Sequence, residues 1–130
     1  MEIFPPKKIK VVEIKGKGRG VVATEDIALG EVIEYCPIIP ISKDEAEFVE
    51  KKNDVLKYYY LFQYAINKYC IMLGYGSIYN HSTTPNADID YDTKEPKNYL
   101  FFEAIKDIKA GEEIVFDYEF DNKEEFLDLP

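Results

Sequence analysis

Gly74-Tyr75-Gly76-Ser77-Ile78-Tyr79-Asn80-His81-Ser82 holds the only histidine of the chain, beside an asparagine and behind two glycines and two tyrosines. The stretch lies between an apolar run, Tyr69 to Leu73, and the alternating segment Ala87-Asp88-Ile89-Asp90-Tyr91. A polar pair set between apolar strands is expected to face a pocket. The second half of that pocket is expected near the C-terminus, in Gly111-Glu112-Glu113-Ile114-Val115-Phe116-Asp117-Tyr118.

The length of 130 residues bounds a single domain with one hydrophobic core. Tryptophan is absent, while 11 tyrosines and 8 phenylalanines make the chain aromatic. Most of these suit β-sheet; those with a polar tip also line pockets that are apolar in body and polar in one corner. The net charge of -9 is unevenly spread: residues 1–87 hold 11 acidic and 11 basic side chains, and residues 88–130 hold 14 acidic against 5 basic. Such a patch repels nucleic acid and attracts basic partners, or serves as a solvated face. Cys36 and Cys70 have no C-x-x-C partner and no histidine at zinc-ligand spacing, so free thiols in a reducing compartment and no metal are expected. Residues Met1 to Pro6 lack the apolar segment of a signal peptide, and no run is long enough for a membrane span. The expectation is an intracellular protein, cytoplasmic in a prokaryote and nuclear in a eukaryote or as a viral effector. Asn80-His81-Ser82 matches a glycosylation sequon, which carries no weight without secretion.

The chain reads as many short strands and one helix, a β-rich α+β domain. Lys8 to Ile14 is a first strand, broken by Gly16-Lys17-Gly18-Arg19-Gly20 before a second from Val21 to Thr24. That glycine segment is weak as a phosphate cradle, because no Lys-Ser or Lys-Thr ends it. Val32 to Ile41 is a long strand whose Pro37 and Pro40 predict an edge position or a bend. Ser42 with Glu45 is a capping box opening a helix with Ala46, Val49 and Phe48 on its apolar face, ending near Asn53. Val55 to Tyr64 and Tyr69 to Leu73 follow as strands, the first with helical spacing as an alternative. Ala87 to Tyr91 is a half-buried strand, Lys94 to Asn98 a hairpin loop, Tyr99 to Ile105 a central strand, and Glu113 to Tyr118 the last strand.

Four pieces occur in order: Gly18-Arg19-Gly20, Asn80-His81-Ser82 with Pro85-Asn86, the turn Gly111-Glu112-Glu113-Ile114, and Asp117-Tyr118 after Phe116. Together they resemble a SET domain, the catalytic domain of protein lysine methyltransferases, in its minimal viral or bacterial form. The resemblance implies a β-clip fold of several short sheets with one short helix and a C-terminal pseudoknot, over residues 8–120. It leaves residues 1–7 as an extension and 121–130 as an acidic tail. It implies S-adenosylmethionine as methyl donor, held by Gly18, Arg19, Gly20, Tyr60, Tyr75, Asn80, His81 and Tyr118. Tyr118 and Tyr60 are the implied catalytic residues. Tyr79, Phe116, Phe120 and Phe126 would line the lysine channel, the last two replacing a cysteine-rich zinc segment that the tail lacks. Phenylalanine at position 116 implies room for an already methylated lysine.

The chemistry agrees with the resemblance. Methyl transfer from a sulfonium to an amine is an in-line displacement that needs alignment and a neutral amine. The expected substrate is a basic lysine-rich protein: a histone, a histone-like chromatin protein or a ribosomal protein. Nucleic-acid and membrane binding are not expected, and a homodimer is left open. The alternative is an inactive SET-like binding module, against which the joint presence of Asn80, His81 and Tyr118 argues.

Overall fold

The computed structural model describes residues 4–52, 61–65, 67–91 and 99–118. Strand β1 (Ile9–Ile14) returns antiparallel as β2 (Gly18–Ala23), with Ile14 opposite Gly18 and Ile9 opposite Ala23. The turn is therefore Lys15-Gly16-Lys17, closed by the Lys17 N–H on the Ile14 carbonyl at 3.0 Å. Gly18-Arg19-Gly20 lies within strand β2 rather than in the loop that its glycines suggest. Gly16 and Gly18 take the positive φ values of 81° and 79° that the tight return requires.

Strand β3 (Val32–Ile41) is the centre of a five-stranded sheet of order β4-β5-β3-β8-β7, so of the edge position or bend that its prolines predict, the edge is not found. The other members are β4 (Leu61–Ala65), β5 (Lys68–Met72), β7 (Ala87–Tyr91) and β8 (Tyr99–Ala104). The reason is a change of partner. Residues 32–37 pair with β8 and residues 38–41 with β5. Pro40 thus falls where β8 has already left, beyond the last pair, Pro37 with Tyr99. At Pro37 the Leu73 N–H still donates to the proline carbonyl at 2.8 Å, while the Leu73 carbonyl takes the Gly76 N–H at 3.3 Å. No donor is missed at either position.

A register shift in β3 between Val32 and Glu34 leaves Ile33 as an extra residue against β8. Ile33 and Glu34 are consecutive and both buried, where regular alternation would expose one of them. The main core gathers Val21, Ile27, Cys36, Cys70, Tyr79, Leu100, Phe102, Ile108, Ile114 and Phe116. Cys36 and Cys70 are free and buried. Helix α1 (Lys43–Lys52) opens with the expected box: Glu45 N–H donates to Ser42 Oγ at 3.1 Å, and Ser42 N–H to Glu45 Oε1 at 3.3 Å. Its Ala46 packs with Leu61 and Tyr69, and Val49 lies against them. Phe48 does not join this face and is 66% exposed. Two residues past Ala46 on a 3.6-residue turn is the opposite side of the helix.

The C-terminal segment is built into the sheet system from two sides. Ile114 N–H donates to Val21 O, Ala23 N–H to Glu112 O and Gly111 N–H to Ala23 O, all at 2.8–2.9 Å. On the other side β6 (Asn80–His81) pairs in parallel with β9 (Val115–Phe116), Asn80 opposite Val115 and His81 opposite Phe116. The ladder is shorter than the expected 113–118 strand because the residues before it bond β2. Asn86 then acts as a surrogate strand: its Nδ2 donates to Glu113 O at 2.8 Å and its Oδ1 accepts from Val115 N–H at 2.9 Å. Among the described residues no helix is long and apolar enough to cross a membrane.

Asn86→Asp places an oxygen against the Glu113 carbonyl. It is expected to cost about 1–3 kcal/mol, read as a lowered urea midpoint, as for a backbone group left without its partner. An unchanged midpoint would contradict the surrogate-strand role.

Candidate active site

Asn80 is fixed by its side chain before it meets any ligand. Its Nδ2 donates to the Arg19 carbonyl at 3.0 Å and to Glu113 Oε2 at 2.7 Å. The other Glu113 oxygen takes Lys17 Nζ at 2.8 Å, so Lys17, Glu113, Asn80 and the Arg19 backbone form one chain of contacts. Gly20 is buried against it. A Cβ there would stand 2.6 Å from Ile14 Cγ1 and 2.8 Å from both Asn80 Nδ2 and Glu113 Oε2. The third residue of the Gly-Arg-Gly triplet is thus a glycine for close approach, while Gly18 faces open space.

His81 and Tyr118 are joined by backbone and ring. The Tyr118 N–H donates to His81 Nδ1 at 3.0 Å, which puts the proton of the neutral imidazole on Nε2. The two ring centroids are 5.1 Å apart. Asp117 Oδ1 stands 3.7 Å from the same Nδ1, close enough to pair with it only if the imidazole is charged. His81 and Asp117 keep 28% and 43% of their side chains exposed, so this corner is open to a solute.

The Tyr118 hydroxyl donates to the carbonyl of Tyr79. Burial, and then the nearby Glu113 charge, push that hydroxyl up to about 12. It stays protonated through the neutral range and serves as a donor. Phe116 is 2% exposed among rings: Tyr118 at 4.8 Å, Phe102 at 5.0 Å, Phe62 at 6.2 Å and Tyr79 at 6.5 Å between centroids.

The fold therefore brings Gly18-Arg19-Gly20, Tyr79, Asn80, His81, Phe116 and Tyr118 together. Tyr75 is half-buried against the core, its N–H donating to Glu34 Oε2 at 3.0 Å. Tyr79 is 1% exposed, and its hydroxyl donates to Glu34 Oε1 at 2.7 Å. Tyr60, Phe120 and Phe126 lie outside the described residues. Three participants were not given a role from the sequence: Glu34, Glu113 and Asn86. Glu34 could have been noticed as the lone carboxylate in the apolar run Val32-Ile33-Glu34-Tyr35-Cys36. Among the described residues no group of three or more His, Cys, Asp or Glu could hold a metal ion.

A strand-rich fold in which Asn80-His81 is laddered to Val115-Phe116, just ahead of Tyr118, defines the architecture. The SET domain pattern matches residues 18–119. The chain is 31% identical over 110 residues to the H3 lysine-37 specific histone-lysine N-methyltransferase of Schizosaccharomyces pombe, covering 85% of this chain and 72% of that protein. It is 35% identical over 120 residues to the N-lysine methyltransferase KMT5A of Xenopus tropicalis, covering 85% of this chain and 35% of that protein. The chain thus spans about a third of the length of this KMT5A relative. A candidate histone methyltransferase of Plasmodium falciparum, solved by crystallography, superposes with a TM-score of 0.67 at 30% identity, covering 88% of this chain and 95% of that one. The chain belongs to the SET domain family.

Gly20→Ala is expected to break the Asn80–Glu113 contact. Overpacking of this kind costs about 1–3 kcal/mol, which thermal denaturation would read. A melting temperature equal to that of the parent would show that Ile14, Asn80 and Glu113 give way freely.

Proposed function

We propose that the chain is an S-adenosylmethionine-dependent protein lysine N-methyltransferase acting on a basic protein, a histone, histone-like chromatin protein or ribosomal protein. The observation that carries this reading is the Tyr118 hydroxyl on the Tyr79 carbonyl, one residue before Asn80-His81. An O–H and a carbonyl oxygen are thereby aligned beside a polar corner and an aromatic wall. The names of the relatives support the same reaction class.

The residues fit this cofactor. Nothing stands within 4 Å of a Cβ built on Gly18, so the Gly18 end of this strand edge has free space beside it, while Gly20 packs closely on Asn80 and Glu113. Asn80, His81 and that edge offer amide, imidazole and backbone groups to a ligand with an amino-acid end and a purine. Gly18, Arg19, Gly20, Tyr75, Asn80, His81 and Tyr118 are assigned to hold it, together with Tyr60. Bound there, the cofactor supplies an electrophilic methyl on a positive sulfonium.

The chain supplies alignment and desolvation. A free lysine has a pKa of ~10.4 and must lose its proton to act as a nucleophile. The lysine channel assigned to Tyr79, Phe116, Phe120 and Phe126 would favour the neutral amine, because burial penalises the charge. Tyr118, protonated up to about 12, orients the reacting groups by donating a hydrogen bond and takes no proton. The acidic excess in residues 88–130 steers a basic substrate to the protein without choosing the lysine. Such a target places the protein inside the cell, in the nucleus of a eukaryotic host.

Titration calorimetry with S-adenosylmethionine is expected to show micromolar binding, lost in Asn80→Ala. Tyr118→Phe is expected to keep binding while turnover on core histones falls about 100-fold or more, as on loss of a preorganised donor. No heat and no thermal shift for the parent would instead make the chain a SET-like binding module.

Phe116 brings no hydroxyl into the ring cluster, so more than one methyl is expected on the same lysine. Mass spectrometry should find di- or trimethyl product from the parent and monomethyl from Phe116→Tyr. A parent that stops at monomethyl under saturation would refute the assignment of this position.

A further inference from the structure

Glu34 is a carboxyl in the core, 4% exposed. The bulge at Ile33 turns it inward beside Phe102, its partner across β8. Its two oxygens are used in different directions. Oε1 accepts the Tyr79 hydroxyl at 2.7 Å, and Oε2 accepts the Tyr75 N–H at 3.0 Å. Gly74 makes the second bond feasible: at φ 66°, a Cβ there would lie 2.5 Å from Oε2. The carboxyl therefore grips both ends of the segment 75–79, whose own turn is closed by Ile78 N–H on Tyr75 O at 2.8 Å. The Tyr79 ring is packed on Phe102 at 4.1 Å between centroids, so the grip on its hydroxyl fixes the residue as a whole.

We infer that Glu34 is a positioning residue for methyl transfer, holding Tyr79 so that its carbonyl sets the direction of the Tyr118 hydroxyl. The inference rests on the lysine methyltransferase reading above. A carboxyl buried in a core is costly, and burial raises the pKa of Glu34 against the opposing pull of its donors. Apolar residues of equal volume would fill the same space without that cost. What they would not supply is two acceptors at a fixed angle, which constrain where the Tyr79 backbone stands. The Tyr79 carbonyl links that grip to Tyr118, and the chain passes at once from Tyr79 into strand β6, Asn80-His81.

The test uses the full chain with S-adenosylmethionine and core histones, comparing the parent, Glu34→Gln, Tyr79→Phe and Tyr118→Phe, and each of the first two changes combined with Tyr118→Phe. The amide of Glu34→Gln turns a donor toward one of two groups that themselves donate. Single-turnover rates and the KM for S-adenosylmethionine are measured for each. Glu34→Gln is expected to lower the rate ~10- to 100-fold, as for a misplaced reacting group, with the KM for S-adenosylmethionine within about twofold of the parent. Tyr79→Phe, which removes one oxygen, is expected to do the same and carries the comparison alone if Glu34→Gln does not fold. In the Tyr118→Phe background either change should lower the rate by less than about twofold further, because coupled residues are not additive. An equal loss in both backgrounds, or a lowered melting temperature with the rate retained, would overturn the inference while leaving the enzyme reading intact. A parent without turnover would remove both.

Discussion

The parallel ladder of Asn80-His81 with Val115-Phe116 is the contact on which the rest of the site depends. Asn80 and Glu113 lie 33 residues apart, and closing a loop of that size costs about 3 kcal/mol in chain entropy. A hydrogen bond returns about 0.5–1.5 kcal/mol net, so a two-residue ladder does not offset the closure. The structure answers with a collar. Asn86 bonds both Glu113 and Val115, the Ser82 N–H donates to Phe116 O at 3.1 Å, and Tyr118 and His81 join at 3.0 Å. Four burying residues beneath, Tyr79, Phe102, Ile114 and Phe116, add apolar contact. The pocket corner is thus a consequence of closure rather than a loop laid over a finished fold.

The central strand shows the same economy. Two prolines would disqualify β3 from a central place if it paired on both sides throughout. It pairs with β8 and then with β5, and the prolines sit at the exchange. The exchange also brings the end of β5 beside Pro37, and from there the chain enters Gly74 and the turn that Glu34 grips. Every buried side-chain nitrogen and oxygen among the described residues has a partner. Glu34, one of the two buried polar side chains, is thereby a restraint on the segment from Tyr75 to Tyr79.

What the sequence made legible was local. The capping box of Ser42 and Glu45, the alternation of Ala87 to Tyr91 and the ordered pieces around Asn80-His81 and Asp117-Tyr118 each depend on neighbours in the chain, and they led to the family. Errors came where distant partners decide. The Gly-Arg-Gly triplet is strand because β1 lies opposite it, and Pro37 and Pro40 are central because β5 and β8 take turns. Phe48 could have been rejected from helical geometry alone, since Ala46 and Val49 already define the buried stripe. Glu34 is the deeper case. A one-residue bulge reverses its face, and periodicity read along a strand cannot anticipate a shift set by the partner strand.

Tyr118 is held at two points, and both lead to the same dipeptide neighbourhood. Its N–H meets the side chain of His81 and its hydroxyl meets the backbone of Tyr79, so it straddles Asn80. Asn80 is in turn bound to the Arg19 carbonyl and to Glu113, and Glu113 is also the charge that helps to raise the Tyr118 hydroxyl. Groups assigned to hold the cofactor and groups assigned to orient the amine are therefore one mechanical unit. A ligand that orders Asn80 and His81 also bears on Tyr118, because both hydrogen bonds of the tyrosine lead to this stretch. Closure of the chain between Asn80 and Glu113 thereby fixes the orientation of Tyr118 together with that of Asn80 and His81.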